Sequence, residues 1–245
     1  MSAPLLQVAG LGKRFGGFVA LDNISLDIKE GERVGLIGPN GSGKSTLVNC
    51  LSGTQRHDAG SVRFDGQSFD GLPAYRRTRL GLARSFQLPK PFRSLTVVQN
   101  LHVPLLFTAK HRGGAHLSSA DIDARCEELL RMVALDGKAK ARPRDLTQIE
   151  MRKLELARAM AAAPKLLIAD EAMAGLSHSE IDDIIALLMK LNAAGVTVVL
   201  IEHIMRAVMS FSERLICLVA GKKIADGAPQ EVVRNPDVER AYLGE

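Results

Sequence analysis

The stretch Gly38-Pro39-Asn40-Gly41-Ser42-Gly43-Lys44-Ser45-Thr46 constrains this chain more tightly than any other. The apolar run Arg33-Val34-Gly35-Leu36-Ile37 before it reads as a buried strand, and Ser45 to Leu51 after it reads as a helix opening. A glycine-rich turn between strand and helix is the setting in which G-x-x-x-x-G-K-[ST] cradles phosphate. Gly38, Gly41 and Gly43 permit unusual dihedrals, so loop N–H groups can close on phosphate oxygens while the helix offers the positive end of its dipole. Lys44 then supplies a point charge to the β- and γ-phosphates and Ser45 a hydroxyl ligand for Mg²⁺. Pro39, Asn40, Ser42 and Thr46 complete the segment that wraps the ligand.

Composition narrows the rest. A chain of 245 residues with 46% hydrophobic content suits one α/β domain with room for a smaller subdomain. No stretch approaches the ~18 consecutive apolar residues of a membrane span, and Met1-Ser2-Ala3-Pro4 lacks the regions of a signal peptide, so a cytosolic chain is expected. Cys50, Cys126 and Cys217 are far apart and without C-x-x-C spacing, which predicts reduced packing residues rather than a disulfide framework or zinc site. The net charge of +5 is spread along the chain. The small cluster Arg76-Arg77-Thr78-Arg79 is expected on a solvated face.

Residues 5 to 28 alternate in strand fashion, with Ile24, Leu26 and Ile28 inward against Ser25 and Asp27, which predicts antiparallel strands leading to the phosphate loop. Phe15, in the glycine-rich turn Arg14-Phe15-Gly16-Gly17-Phe18, could stack on a nucleobase. Further turns at Asp58-Ala59-Gly60 and Asp65-Gly66 extend that sheet. Leu82 to Phe86 reads as a strand ending at Gln87, before Pro89 and Pro91 stop regular structure. An amide there could reach a γ-phosphate, a metal or an attacking water. From Leu95 to about Leu135 the pattern is helical, with caps at Thr96 and at Ser118 or Ser119, so residues 88 to 145 read as a helical insertion.

A helix opens at Asp145-Leu146-Thr147, with Arg152 and Arg158 away from its apolar face, and Pro164 ends it. Leu166 to Asp170 is an apolar strand delivering Asp170 and Glu171 at its C-terminal end, where open α/β sheets hold ligands. Asp170 is the candidate to hold magnesium through water, and Glu171 the candidate to orient and deprotonate the attacking water. The capping box Ser177-His178-Ser179-Glu180 starts a helix with Ile181, Ile184, Ile185, Leu188 and Leu191 inward. The strand Val196 to Ile201 ends at Glu202-His203, from which His203 could donate to the γ-phosphate. Strands flanking a turn at Gly221-Lys222 and a helical tail from Pro229 close the chain.

The phosphate loop, Gln87, Asp170-Glu171, Ala174-Gly175-Leu176-Ser177 and His203 occur in an order and spacing that resemble those of the ATP-binding-cassette ATPases, from end to end of the chain. Within that family, Lys13-Arg14-Phe15-Gly16-Gly17, Ala83-Arg84-Ser85-Phe86-Gln87, Phe92-Arg93-Ser94-Leu95-Thr96-Val97 and Ala241-Tyr242-Leu243-Gly244-Glu245 resemble the ATPase subunits of branched-chain amino acid importers; importers of amides or urea share these stretches. The resemblance implies a P-loop NTPase of α/β class: a RecA-like core with an antiparallel β subdomain over residues 1–87 and 146–245, plus a helical subdomain over residues 88–145 facing the membrane subunits.

It further implies ATP and Mg²⁺ as ligands, and two cassettes that sandwich two ATP molecules between the phosphate loop of one and the signature segment of the other. Two transmembrane permease subunits and an extracytoplasmic solute-binding protein would be partners, with the chain peripheral on the cytoplasmic face of the cell membrane and no nucleic acid bound. On that template Phe15 packs on adenine, Gln87 couples the site to the permease, Glu171 is the base and His203 contacts the γ-phosphate. Ala174 to Ser177 would line the dimer seam. Competing readings are a soluble cassette ATPase acting on nucleic acid or ribosomes, a nucleotide-binding regulatory subunit with weak hydrolysis and, more distantly, an NMP-kinase-like enzyme.

One segment departs from the family pattern. Its signature, Leu-Ser-Gly-Gly-Gln or in this subfamily often Leu-Pro-Tyr-Gly-Gln, is here Leu146-Thr147-Gln148-Ile149-Glu150. Ile149 puts a branched side chain where glycine permits close approach, and Glu150 is expected to bring negative charge toward a polyphosphate. Such a chain is expected to pair with a different ATPase, whose consensus signature completes the site at Lys44. Ala172 also replaces the proline usual after the catalytic glutamate, a milder change.

Overall fold

The computed structural model describes residues 3–86, 89–109 and 118–243. Strand β1 (Leu6–Phe15) pairs antiparallel with β2 (Phe18–Ile28), and on its other side with β4 (Ala59–Phe64), which turns through Asp65-Gly66 into the short β5 (Gln67–Ser68). Both turn residues have positive φ, 49° and 73°, as a two-residue hairpin turn requires. These strands make one sheet in the order β2-β1-β4-β5.

The second sheet is built around β3 (Arg33–Ile37). Its order is β10-β9-β3-β8-β7-β6, with β6 (Leu82–Ser85), β7 (Leu166–Asp170), β8 (Thr197–Ile201), β9 (Arg214–Val219) and β10 (Lys222–Gly227). From β6 to β9 every neighbouring pair is parallel, and only β10 runs antiparallel, on the edge. The β9–β10 turn falls on Ala220-Gly221, one residue earlier than the sequence reading, because the φ values of 46° and 77° sit there.

The central strands are apolar throughout because both faces are covered. Leu166, Ile168, Val199 and Ile201 point into a core shared with the antiparallel sheet and α1 (Lys44–Ser52), whereas Leu167, Ala169, Val198 and Leu200 point into a second core. That second core is filled by α3 (Val97–Ala109), α4 (Ser119–Met132), α5 (Gln148–Ala161), α6 (His178–Ala193) and α7 (Met205–Phe211). A smaller core of Ile37, Val208, Leu215, Cys217, Val232 and Val238 lies under α8 (Pro229–Val233) and α9 (Pro236–Leu243). All three cysteines are buried, and burial pushes each thiol up to about 11.

The arginine cluster corrects the sequence reading. It lies on α2 (Ala74–Leu80), and Arg77 is buried rather than solvated. Its guanidinium donates to the Cys50 and Leu51 carbonyls at the end of α1, at 2.6 and 2.8 Å, and to the Leu72 carbonyl at 2.9 Å. A helix leaves its last carbonyls without intrahelical partners, and a fork of N–H donors answers them. Arg152 is likewise buried within α5 and donates to the Ala174 carbonyl at 3.3 Å.

Candidate functional site

The strands β3, β8 and β7 are adjacent and parallel, so their C-terminal ends open on one edge of the sheet. That edge brings together Gly38 after β3, His203 after β8 and Asp170-Glu171 at the end of β7. Gln87 follows β6, the next strand over, but lies outside the described residues. Of the described residues on either side of it, Phe86 and Lys90 donate backbone hydrogen bonds to Glu155 of α5, which pairs with Arg158 at 2.8 Å. Asn100 of α3 binds both the N–H and the carbonyl of Phe92.

The phosphate loop has the backbone its glycines predict. Gly38, Gly41 and Gly43 have φ of 146°, 77° and 104°. A Cβ on Gly38 would lie 2.1 Å from the Leu218 carbonyl oxygen and one on Gly43 2.7 Å from that of Ala20, so neighbouring backbone closes around both. Gly41 faces open space. Ser42 is buried; its N–H donates to the Pro39 carbonyl at 3.2 Å and its carbonyl accepts from Gly221, so the loop is sutured to the β9–β10 turn. Asn40 is exposed and Thr46 half-buried in the first turn of α1.

Lys44 donates to the carbonyls of Gly38 and Pro39, at 2.6 and 3.0 Å, and approaches the Ser42 hydroxyl at 3.4 Å. Burial pulls its ammonium below the ordinary lysine range, opposed by the Glu171, Cys217 and Asp170 charges. An ammonium held within the loop, beside N–H groups that open α1 without intrahelical partners, is a donor set that fits a polyphosphate. Ser45 is exposed at the same helix start and leaves its hydroxyl accessible.

Asp170 is nearly buried, and its Oδ2 accepts from Arg84 Nη2 at 2.7 Å. Arg84 also donates to Asn49 of α1 at 2.7 Å, tying the acidic strand end to the helix that follows the phosphate loop. Glu171 has φ of 48°, and its N–H donates to the Ile201 carbonyl at 2.9 Å, so a left-handed residue turns the chain just past the sheet. Such backbone is costly for a non-glycine residue and concentrates where function over-determines it. His203 is exposed, with Nδ1 4.0 Å from Glu202 Oε2.

Glu202, whose role the sequence did not disclose, is fully enclosed: Oε1 accepts the Met173 N–H at 2.8 Å, and the backbone at His203 also donates to the carboxyl group. Burial raises its carboxyl above the ordinary value of 4.5. A carboxylate between an apolar β-strand and a histidine is the signal that could have drawn attention to it. Arg84, an arginine inside an apolar strand, carries a similar signal.

Phe15 ends β1 half-exposed, with Lys13 Nζ 5.5 Å above its ring. The departing segment adopts an unexpected arrangement. Thr147 caps α5 in a capping box with Glu150, whose carboxylate accepts from the Thr147 N–H and pairs with Lys138 at 2.7 Å. The charge of Glu150 is thus turned onto its own helix end and neutralised, rather than projected outward. Gln148 donates to the Ala174 carbonyl at 3.2 Å, and a Cβ on Gly175 would lie 2.5 Å from its Nε2.

A phosphate loop ending one parallel strand, with paired carboxylates ending another, defines the class: a phosphate-loop nucleoside triphosphatase. Comparison with known proteins narrows this. Residues 21–174 match the ABC transporter family and residues 222–245 the Branched-chain amino acid ATP-binding cassette transporter family. The chain is 39% identical, over the full length of both proteins, to the high-affinity branched-chain amino acid transport ATP-binding protein BraF of Pseudomonas aeruginosa, and 38% identical to LivG of Escherichia coli, again at full length. The fold superposes on MJ1267, an ATP-binding cassette of an ABC transporter in its ADP conformation, with a TM-score of 0.88 at 28% identity, covering all of both chains. A nucleotide-free cassette gives 0.87 at 28%, covering 99% of this chain and all of that one. The chain therefore belongs to the ATP-binding-cassette ATPases of ABC transporters.

Proposed function

We propose that this chain is the ATP-hydrolysing subunit of an importer for branched-chain amino acids or related small polar solutes. The observation that carries the reading is the convergence of the phosphate loop, Asp170-Glu171 and His203 on one sheet edge, in a chain alike from end to end to transporters of that name.

In this reading Gly38 to Thr46 wrap the triphosphate, with Lys44 leaving its carbonyl partners for the β- and γ-phosphates and Phe15 packing on adenine. Ser45, Asp170 and Gln87 would hold magnesium, which when bound supplies charge neutralisation at the phosphates. Glu171 accepts a proton from the attacking water, His203 donates a hydrogen bond to the γ-phosphate, and Gln87 couples the site to the permease. Arg84 holds Asp170 aimed at the site by its short charged hydrogen bond.

The partners would be two transmembrane permease subunits, an extracytoplasmic solute-binding protein and a second cassette ATPase. The helices within residues 88–145 would form the subdomain facing the membrane. Support comes from the exposed apolar side chains Val103, Leu106 and Phe107 on α3, beside Tyr75 of α2; Arg79 spans the Tyr75 and Phe107 rings at 5.2 and 4.4 Å. Among the described residues no helix is long and apolar enough to cross a membrane, and a place on its cytoplasmic face follows from that partnership.

The altered segment supports an asymmetric pair through Ile149, which occupies a glycine position; Glu150, committed to Lys138 and Thr147, does not add the expected charge. The purified chain alone should hydrolyse MgATP slowly, and adding the partner ATPase should raise turnover at least tenfold, with Glu171→Gln abolishing the gain. Brisk hydrolysis by the chain alone, abolished by the same substitution, would show that two altered signatures suffice. No MgATP binding by the chain at all would refute the nucleotide reading itself.

A further inference from the structure

The last described turn of the chain touches the phosphate loop. Tyr242 of α9 accepts a hydrogen bond at its hydroxyl from the Gly38 N–H, at 2.7 Å. The partner is a specific one. Gly38 is buried and follows Ile37, the last residue of β3 paired with β9, so its N–H lies just beyond the sheet ladder. The carbonyl of the same residue accepts from Lys44 at 2.6 Å. The Tyr242 hydroxyl and the Lys44 ammonium thus grip the same residue, one on each flanking peptide.

No side chain at position 38 can do this work, because a Cβ there would collide with the Leu218 carbonyl and the Ser42 hydroxyl. Positioning has to come from outside the loop. The tail helix is well placed to provide it: Val238 packs into the small core with Ile37 and Cys217. Tyr242, Val238 and Glu239 also line a cavity of ≈330 Å³ shared with Met205, two residues beyond His203.

We infer that Tyr242 is a positioning residue for the nucleotide site, its hydroxyl strapping α9 to Gly38 and presetting the phosphate loop. The inference rests on the ATP-binding reading above. With the hydroxyl gone, the Gly38 N–H is left buried and unpartnered, and its peptide is free to turn toward other acceptors. Nucleotide binding must then restore the loop, so the lost preorganisation appears in affinity.

The test is Tyr242→Phe in the full chain, which keeps the ring and removes only the hydroxyl. Isothermal titration with MgADP should give a Kd raised about 5- to 10-fold, the size expected for one lost hydrogen bond to a buried donor. Hydrogen exchange of the nucleotide-free protein should show the Gly38 amide losing protection. A contact that merely holds the tail would lower the melting temperature and leave Kd within about twofold of the parent at temperatures well below unfolding. That result would overturn the assignment, whatever the exchange shows. If the parent itself bound no MgADP, the nucleotide reading would fall and the assignment with it, whereas a parent that binds and a variant that binds equally would sink the assignment alone.

Discussion

Arg77 shows how much of a stable site rests on residues that never meet the ligand. Its guanidinium closes the C-terminal end of α1, the helix whose other end opens from the phosphate loop. Removing it leaves three carbonyls unanswered, and Arg77→Ala should cost about 2–3 kcal/mol, read as a lowered urea midpoint. Glu202 makes a pH-dependent prediction. Its folded-state carboxyl sits above the ordinary 4.5 because of burial, so the folded chain holds the proton more tightly than the unfolded one. The neutral form costs little below that ordinary value, and the charged form costs stability as pH rises above it. Glu202→Gln should therefore melt close to the parent near pH ~4 and above it by pH ~7; a difference flat with pH would contradict this. Neither residue could be read from sequence, because what decides their environment is a neighbour far along the chain: Cys50 for Arg77, Met173 for Glu202.

Elements were legible where a local pattern coincided with a long-range need. The strand-loop-helix at 33–52 and the acid-tipped strand at 166–171 announce themselves because a doubly covered parallel strand has to be apolar throughout and its ligand-bearing residues must follow it. The cap at Ser118 and the capping box at Ser177 stand where their local chemistry predicts. The helix α2 escaped the sequence reading: it is short, opens after Pro73 without a side-chain cap, and is secured by Arg77 rather than by an apolar stripe. The direction of Glu150 escaped too, since its commitment to Lys138 depends on a turn twelve residues upstream. Thr147→Ala should destabilise the chain by about 1 kcal/mol through the lost N-cap. Glu150→Gln keeps the box and gives up a partly exposed ion pair, and should cost less than about 1 kcal/mol. Paired urea titrations check both, and a larger loss for Glu150→Gln would show that the ion pair, not the cap, holds the helix start.

On the scale of the whole molecule, the sheet edge that gathers the nucleotide-facing residues is tied at both flanks: by Glu155 and Asn100 on the side of Gln87, and by Tyr242 on the side of the phosphate loop. The exposed apolar side chains of α2 and α3 lie on the first of these flanks. The importer account is tested most directly by recovering the chain with its companions: tagged in its native host, gently solubilised from membranes, and its partners identified by mass spectrometry. The account predicts two multi-span permease subunits and a second cassette ATPase. Recovery of ribosomal or nucleic-acid-bound proteins, with no membrane protein among them, would contradict it and assign the altered signature to a different use of ATP.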